Sequence, residues 1–122
     1  MIRMKIPETG YLLRVFVGEA DRWQGQPLYE AIVRKARDLQ LAGATVLRGP
    51  MGFGATSRLH TTKIMRLSDD LPMVIEIVDS REKIDQLMPH IDQMVRQGLV
   101  TLKRVEVIKY RGDPPPGTDE GP

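Results

Sequence analysis

The chain has 122 residues, with 18 Lys and Arg against 16 Asp and Glu and a formal net charge of +2. That length fits one domain, able to bury about two-thirds of the surface its unfolded form exposes. Cysteine is absent, which excludes disulfides and thiolate metal sites and points to the cytoplasm, and so small a net charge gives no argument for nucleic acid.

Residues 1–10 read as an N-terminal arm. The opening MIRMKIPETGYLLRVFV is no secretory signal, because its apolar run is short, carries Arg14 and meets no small-residue cleavage pattern. No segment approaches the roughly 18 apolar residues of a membrane span. Tyr11 to Val17 is apolar and partly β-branched, and Gly18 stops it, so it reads as a strand. Pro27 suits the first position of a helix. Leu28, Ile32, Ala36 and Leu39 then recur at helical spacing, and Gly43 is the expected C-terminal cap.

Ala44 to Arg48 reads as a second short strand, and Ile64 to Leu67 as a third ending in a Ser68-Asp69-Asp70 turn. Leu71 to Val78 is the clearest strand, with Pro72 near its start where proline is tolerated. Asp79 and Glu82 have capping-box spacing for a second helix. Its core face is Ile84, Leu87, Met88, Ile91 and Val95, it is bent by Pro89, and Gly98 ends it. Leu99 to Tyr110 reads as the last strand. Its apolar phase shifts from Val100 and Leu102 to Val105 and Val107, which predicts a bulge near Lys103 and Arg104. The tail from 112 to 122 is rich in proline and glycine and reads as disordered.

This order is βαββαβ, which predicts an α+β, ferredoxin-like sandwich over residues 11–111 with an antiparallel sheet and both helices on one face. Strands at Arg14–Val17 and Val74–Val78 carry apolar residues on both faces. The helix-free face is therefore expected to pack against another subunit.

The stretch RGPMGFGATSRLHTTK, Arg48 to Lys63, does not read as core. Between Asp38 and Asp69 there is no carboxylate, while Arg48, Arg58, Lys63 and Arg66 lie within the interval. Gly49, Gly52 and Gly54 allow positive φ and close approach of backbone to a ligand, and successive N–H groups there could form an anion nest. Arg48, Arg58 and Lys63 could neutralise phosphates. The plainer alternative is a surface loop whose glycines only make turns. His60 could contact a ligand or be an ordinary loop residue, and His90 is expected to face solvent. Two isolated histidines make a poor zinc site. Trp23 and Tyr29 could stack on a base, but such aromatic anchors more often pack. Glu19 and Asp21 read as a solvated cap or as ion-pair partners for Arg22, with acid–base chemistry as the alternative.

LPMVIEIVDSREKID following a long loop with GFG resembles the PII signalling proteins. EADRWQGQPLYEAI, LAGATVLRGPMGFGATSRLHT, LSDDLPMVIEIVDS and GLVT, in that order, resemble more closely a PII-like sister family, domain-of-unknown-function family one hundred and ninety. The resemblance spans Tyr11 to Tyr110. It implies a homotrimer and a T-loop between the second and third main strands. It also implies an adenine nucleotide (ATP, ADP or AMP) held in the cleft between subunits near Gly52-Phe53-Gly54. It further implies a regulatory protein rather than an enzyme, with a partner that includes a membrane transporter such as a fluoride exporter, since relatives are often encoded beside such genes.

Three departures limit this. No tyrosine lies between Tyr29 and Tyr110, so covalent tyrosine switching of the loop is not implied. Ala55 and Thr56 follow GFG where many PII proteins have a glutamine for metal and 2-oxoglutarate. The connection RQGLVTLKR has only Gly98 where PII has a glycine- and lysine-rich phosphate loop. Two other functional classes stay open: an enzyme acting on a small phosphorylated substrate through His60 or Glu19, and a structural or nucleic-acid-binding trimer.

Overall fold

The computed structural model describes residues 8–54, 60–61 and 70–112. Strand β1 (Thr9–Gly18) alternates from Leu12 onward, with Leu13, Val15 and Val17 buried and Leu12, Arg14 and Phe16 half-buried. A small hairpin follows, β2 (Arg22–Trp23) and β3 (Gln26–Pro27). Its turn residues Gln24 and Gly25 have φ of 49° and 81°, the left-handed pair that suits the twist of a tight hairpin. Trp23 packs against the core.

Helix α1 (Leu28–Asp38) buries Leu28, Ala31, Ile32 and Ala36. Pro27 is its N-cap, one residue before the expected position. The helix also stops well before Gly43. Gln40 takes the left-handed conformation, at φ 61°. Its N–H donates to the Arg37 carbonyl, and the Leu41 N–H donates to the Ala36 carbonyl, each at 3.0 Å. That is a Schellman ending built on glutamine, at a cost of about 1 kcal/mol relative to glycine. Burial of Leu41 in the core offsets it.

The remaining elements are β4 (Thr45–Arg48), β5 (Met51–Gly52), β6 (His60–Thr61), β7 (Pro72–Asp79), α2 (Arg81–Met94) and β8 (Leu99–Glu106). The expected strand at 64–67 lies outside the described residues. The main sheet is antiparallel, in the order β4-β7-β1-β8. This is the ferredoxin-like arrangement, two interleaved β-α-β units. Leu13, Val15, Met73, Ile75 and Ile77 from the central strands meet Ile32 of α1 and Ile84, Leu87 and Ile91 of α2 in one core.

Asp79 is not the helix cap. Ser80 is, its hydroxyl accepting from the Lys83 N–H at 3.2 Å. Asp79 alternates inward from β7 and is 1% exposed. Its carboxylate accepts from the Ala42 N–H at 2.8 Å and the Ser80 N–H at 2.7 Å, which satisfies the buried charge. Helix α2 runs through the exposed Pro89, and His90 is half-buried rather than solvent-facing.

The predicted bulge in the last strand is absent. β1 and β8 pair without interruption from Phe16↔Leu99 to Thr9↔Glu106, and the Val107 N–H continues the ladder to the Glu8 carbonyl. The apolar phase changes because β8 is an edge strand. Val100 and Val105 are half-buried on opposite faces and the residues between them are exposed. The strand ends at Glu106, short of Tyr110, whose hydroxyl donates to the Ala42 carbonyl at 2.6 Å.

On the helix-free face, Leu47, Val74, Phe16 and Leu99 are register neighbours across all strands of the sheet. Leu47 is 49% and Leu99 56% exposed. The adjacent row is polar, with Arg14 Nε to Glu76 Oε2 at 2.7 Å.

Candidate functional site at the foot of the long loop

Gly18 pairs with Pro72, Arg48 with Met73, and Phe16 with Leu99. The ends of β1 and β4 and the starts of β7 and β8 therefore lie at one end of the sheet. The long loop leaves and re-enters there. Its foot is built on Pro72. The Gly49 N–H donates to the Pro72 carbonyl at 2.7 Å. A Cβ added at Gly49 would sit 2.8 Å from Pro72 Cγ, and one at Gly52 would sit 3.0 Å from it. These glycines are small because the loop lies flat on a proline ring. Among the described residues, positive φ occurs at Gln24, Gly25, Gln40 and Gly98 and not at Gly49, Gly52 or Gly54. The expected left-handed glycines are therefore not found, and the Gly49 N–H is already engaged within the protein. A Cβ at Gly54, in contrast, would meet nothing.

Beyond the foot, β5 and β6 form a ribbon, Met51 opposite Thr61 and Gly52 opposite His60. This brings His60 back to Gly52. Phe53 is 70% exposed and Met51 49%, an apolar pair presented to solvent beside the ribbon. Arg58 and Lys63 lie outside the described residues.

Arg48 is exposed to solvent but already paired. Its Nη2 is paired with Glu19 Oε2. Glu19 thus serves Arg48 and not Arg22. Arg22 donates to the Gly25 carbonyl at 2.7 Å, and Asp21 accepts from the Gly18 N–H at 2.9 Å. The turn after β1 is anchored to the start of β7 by Glu19 N–H to the Leu71 carbonyl at 2.8 Å and by Ala20 N–H to Asp70 Oδ1 at 2.9 Å. Beside it a groove of about 490 Å³ runs between the hairpin and the end of α2, lined by Asp21, Arg22, Leu28, Met94, Arg96 and Gln97.

Sequence reasoning missed Asp70, Arg22 and Arg96 as members of this end. Arg22 and Arg96 lie three and two residues before turn glycines, Gly25 and Gly98, but only the tertiary packing brings the two arginines to one groove. Far from this end, Arg81 is the one side chain among the described residues whose proton affinity is clearly shifted. That affinity is raised by hydrogen bonding and charge from Asp85, the residue one helical turn on. Among the described residues no group of His, Asp and Glu side chains is spaced to hold a metal, and no helix is long and apolar enough to cross a membrane.

Sheet order, layer arrangement and a long connection between the second and third main strands define a ferredoxin-like fold of the PII-like kind. The chain belongs to the DUF190 family, described as "Uncharacterized ACR", whose model matches residues 10–107. A UPF0166 protein of Aquifex aeolicus is 39% identical over 97 residues, covering 80% of this chain and 91% of that protein. A UPF0166 protein of Methanocaldococcus jannaschii is 31% identical over 114 residues, 93% of this chain and 97% of that one. Among solved structures, CPII from Thiomonas intermedia K12, bound to ADP and bicarbonate, superposes with a TM-score of 0.64 at 16% identity, covering 83% of this chain and 90% of that one. At that identity the likeness is one of fold.

Proposed function

We propose that this protein is a PII-like regulator. It binds an adenine nucleotide (ATP, ADP or AMP) without turning it over, at clefts between subunits of a homotrimer, and passes the ligand state to a partner through the long loop. The observation that carries this reading is the loop foot: a long loop clamped on Pro72 between neighbouring strands, with Arg48 at its base, on a PII-like fold. The ADP in the Thiomonas protein supports the choice of ligand. Phe53 and Gly54, open at the ribbon, and Arg48 at the foot have room to meet a base or a phosphate, while His60, Arg58 and Lys63 are the further contacts. The apolar row Leu47–Val74–Phe16–Leu99 supports assembly, because a lone chain leaves it half in water. The resemblance to transporter-linked relatives makes a membrane transporter, such as a fluoride exporter, the first partner to try, with this chain on the cytoplasmic side.

The test is calorimetric titration of ATP, ADP and AMP, with release of phosphate followed in parallel. Saturable binding near one ligand per chain without turnover is expected. Turnover would favour the enzyme reading. No binding by any of the three would overturn the nucleotide.

A further inference from the structure

The ion pair at the loop foot sets the terms on which an anion can enter. Arg48 is the last residue of β4, directly before Gly49. Its side chain is 58% exposed, while that of its partner Glu19 is 21% exposed. Glu19 is held from its own backbone through the Leu71 carbonyl, and the next residue is held through Asp70. Glu19 is therefore the less exposed member and stands on an anchored backbone, and the guanidinium is the member more open to solvent.

We propose that Glu19 is a built-in competitor for Arg48. In the free chain its carboxylate occupies the guanidinium, and a phosphate group arriving at the loop foot takes its place. This rests on the reading above in placing phosphate at that foot. The exchange replaces one charge-assisted contact by another. A ligand with a single anionic oxygen gains little from it, and a neutral ligand gains nothing. An oligophosphate that reaches Arg48 while also contacting other cations gains most. Neutralising Glu19 removes the displacement cost for every phosphate ligand by the same factor.

An alternative arrangement would have Arg48 hold Glu19 with one edge of its fork and phosphate with the other. Glu19→Gln would then leave binding unchanged, or weaken it by freeing the guanidinium to swing away. The experiment is calorimetric titration of ATP, inorganic pyrophosphate and adenosine into the full chain and into Glu19→Gln, Arg48→Ala and the double variant.

The proposal expects Glu19→Gln to tighten pyrophosphate and ATP by about two- to fivefold, the scale of an exposed ion pair. That gain vanishes when Arg48 is alanine, and adenosine is indifferent. Unchanged or weaker phosphate binding in Glu19→Gln overturns it. So does a gain that persists without Arg48, an equal gain for adenosine, or the failure of both phosphates to bind any of the chains. Pyrophosphate binding that responds to Glu19, with no ATP binding, would remove the nucleotide and leave the competitor standing. ATP binding that ignores Glu19 would do the reverse.

Discussion

The buried carboxylate of Asp79 accepts a hydrogen bond from the backbone N–H of Ala42 at 2.8 Å, tying the end of β7 to the turn that follows α1. The same carboxylate holds the Ser80 N–H, so one side chain joins a strand end, a helix start and a turn. Asp79→Ala leaves both donors without that acceptor and is expected to destabilise the fold by about 2–3 kcal/mol. Ser80→Ala, which removes only the cap of α2, is expected to cost about 1 kcal/mol. Urea unfolding of the two variants checks the order, and equal costs would contradict it.

Gly98 and Gly43 separate two kinds of glycine. Gly98 has φ +155°, and a Cβ there would collide with the Phe16 carbonyl oxygen, while a Cβ at Gly43 meets nothing. Gly98→Ala is expected to lose at least about 2 kcal/mol. Gly43→Ala is expected to be neutral or to gain a few tenths, at most about 1 kcal/mol, through the unfolded state. Thermal melts of both variants decide it.

The contact of Gly49 with Pro72 predicts a compensating pair. A Cβ at position 49 would come within 2.8 Å of Pro72 Cγ, so Gly49→Ala is expected to cost about 1–3 kcal/mol by overpacking. Pro72→Ala removes that atom and is expected to restore much of the loss in the double variant. A double-mutant cycle showing simple additivity would argue that the two residues do not press on one another.

If the helix-free face is the subunit interface, Leu47→Glu or Leu99→Glu should yield folded monomers. Both side chains are about half exposed in the single chain, so neither substitution disturbs the core. Light scattering is expected to give a trimer for the parent and a monomer for each variant, with helix content retained. A parent that is monomeric at micromolar concentration removes the trimer.

The main strands and both helices were legible because each carries its own period. Val15 and Ile75 alternate, and Ile84, Leu87 and Ile91 repeat at helical spacing. What was not legible depended on partners distant in sequence. Gln40 ends α1 because Leu41 is drawn into a core assembled by α2 and β7, a pull stronger than the local claim of Gly43. Asp79 looked like a cap until the sheet register turned it inward toward Ala42. The apolar phase shift near Lys103 mimics a bulge because an edge strand need not bury one face throughout. At the candidate site, Arg48 could be picked out from its carboxylate-free surroundings. Glu19, its partner in the structure, was 29 positions away on the far side of α1. Gly49 and Gly52 stood out for positive φ and close approach to a ligand, whereas within the fold neither has positive φ and what they make room for is the Pro72 ring.

The β5–β6 ribbon brings Gly52 and His60 face to face before the chain continues back toward β7. With the ends already joined, the cost of a longer excursion between them grows only logarithmically, by about 0.6 kcal/mol for each doubling in length. The scaffold's demands therefore fall on the joined ends and not on the sequence between them. Homologues could exchange or extend it to suit different partners while keeping the same foot, and a grafted epitope or fluorescent probe placed between these two residues should leave the domain's melting temperature nearly unchanged.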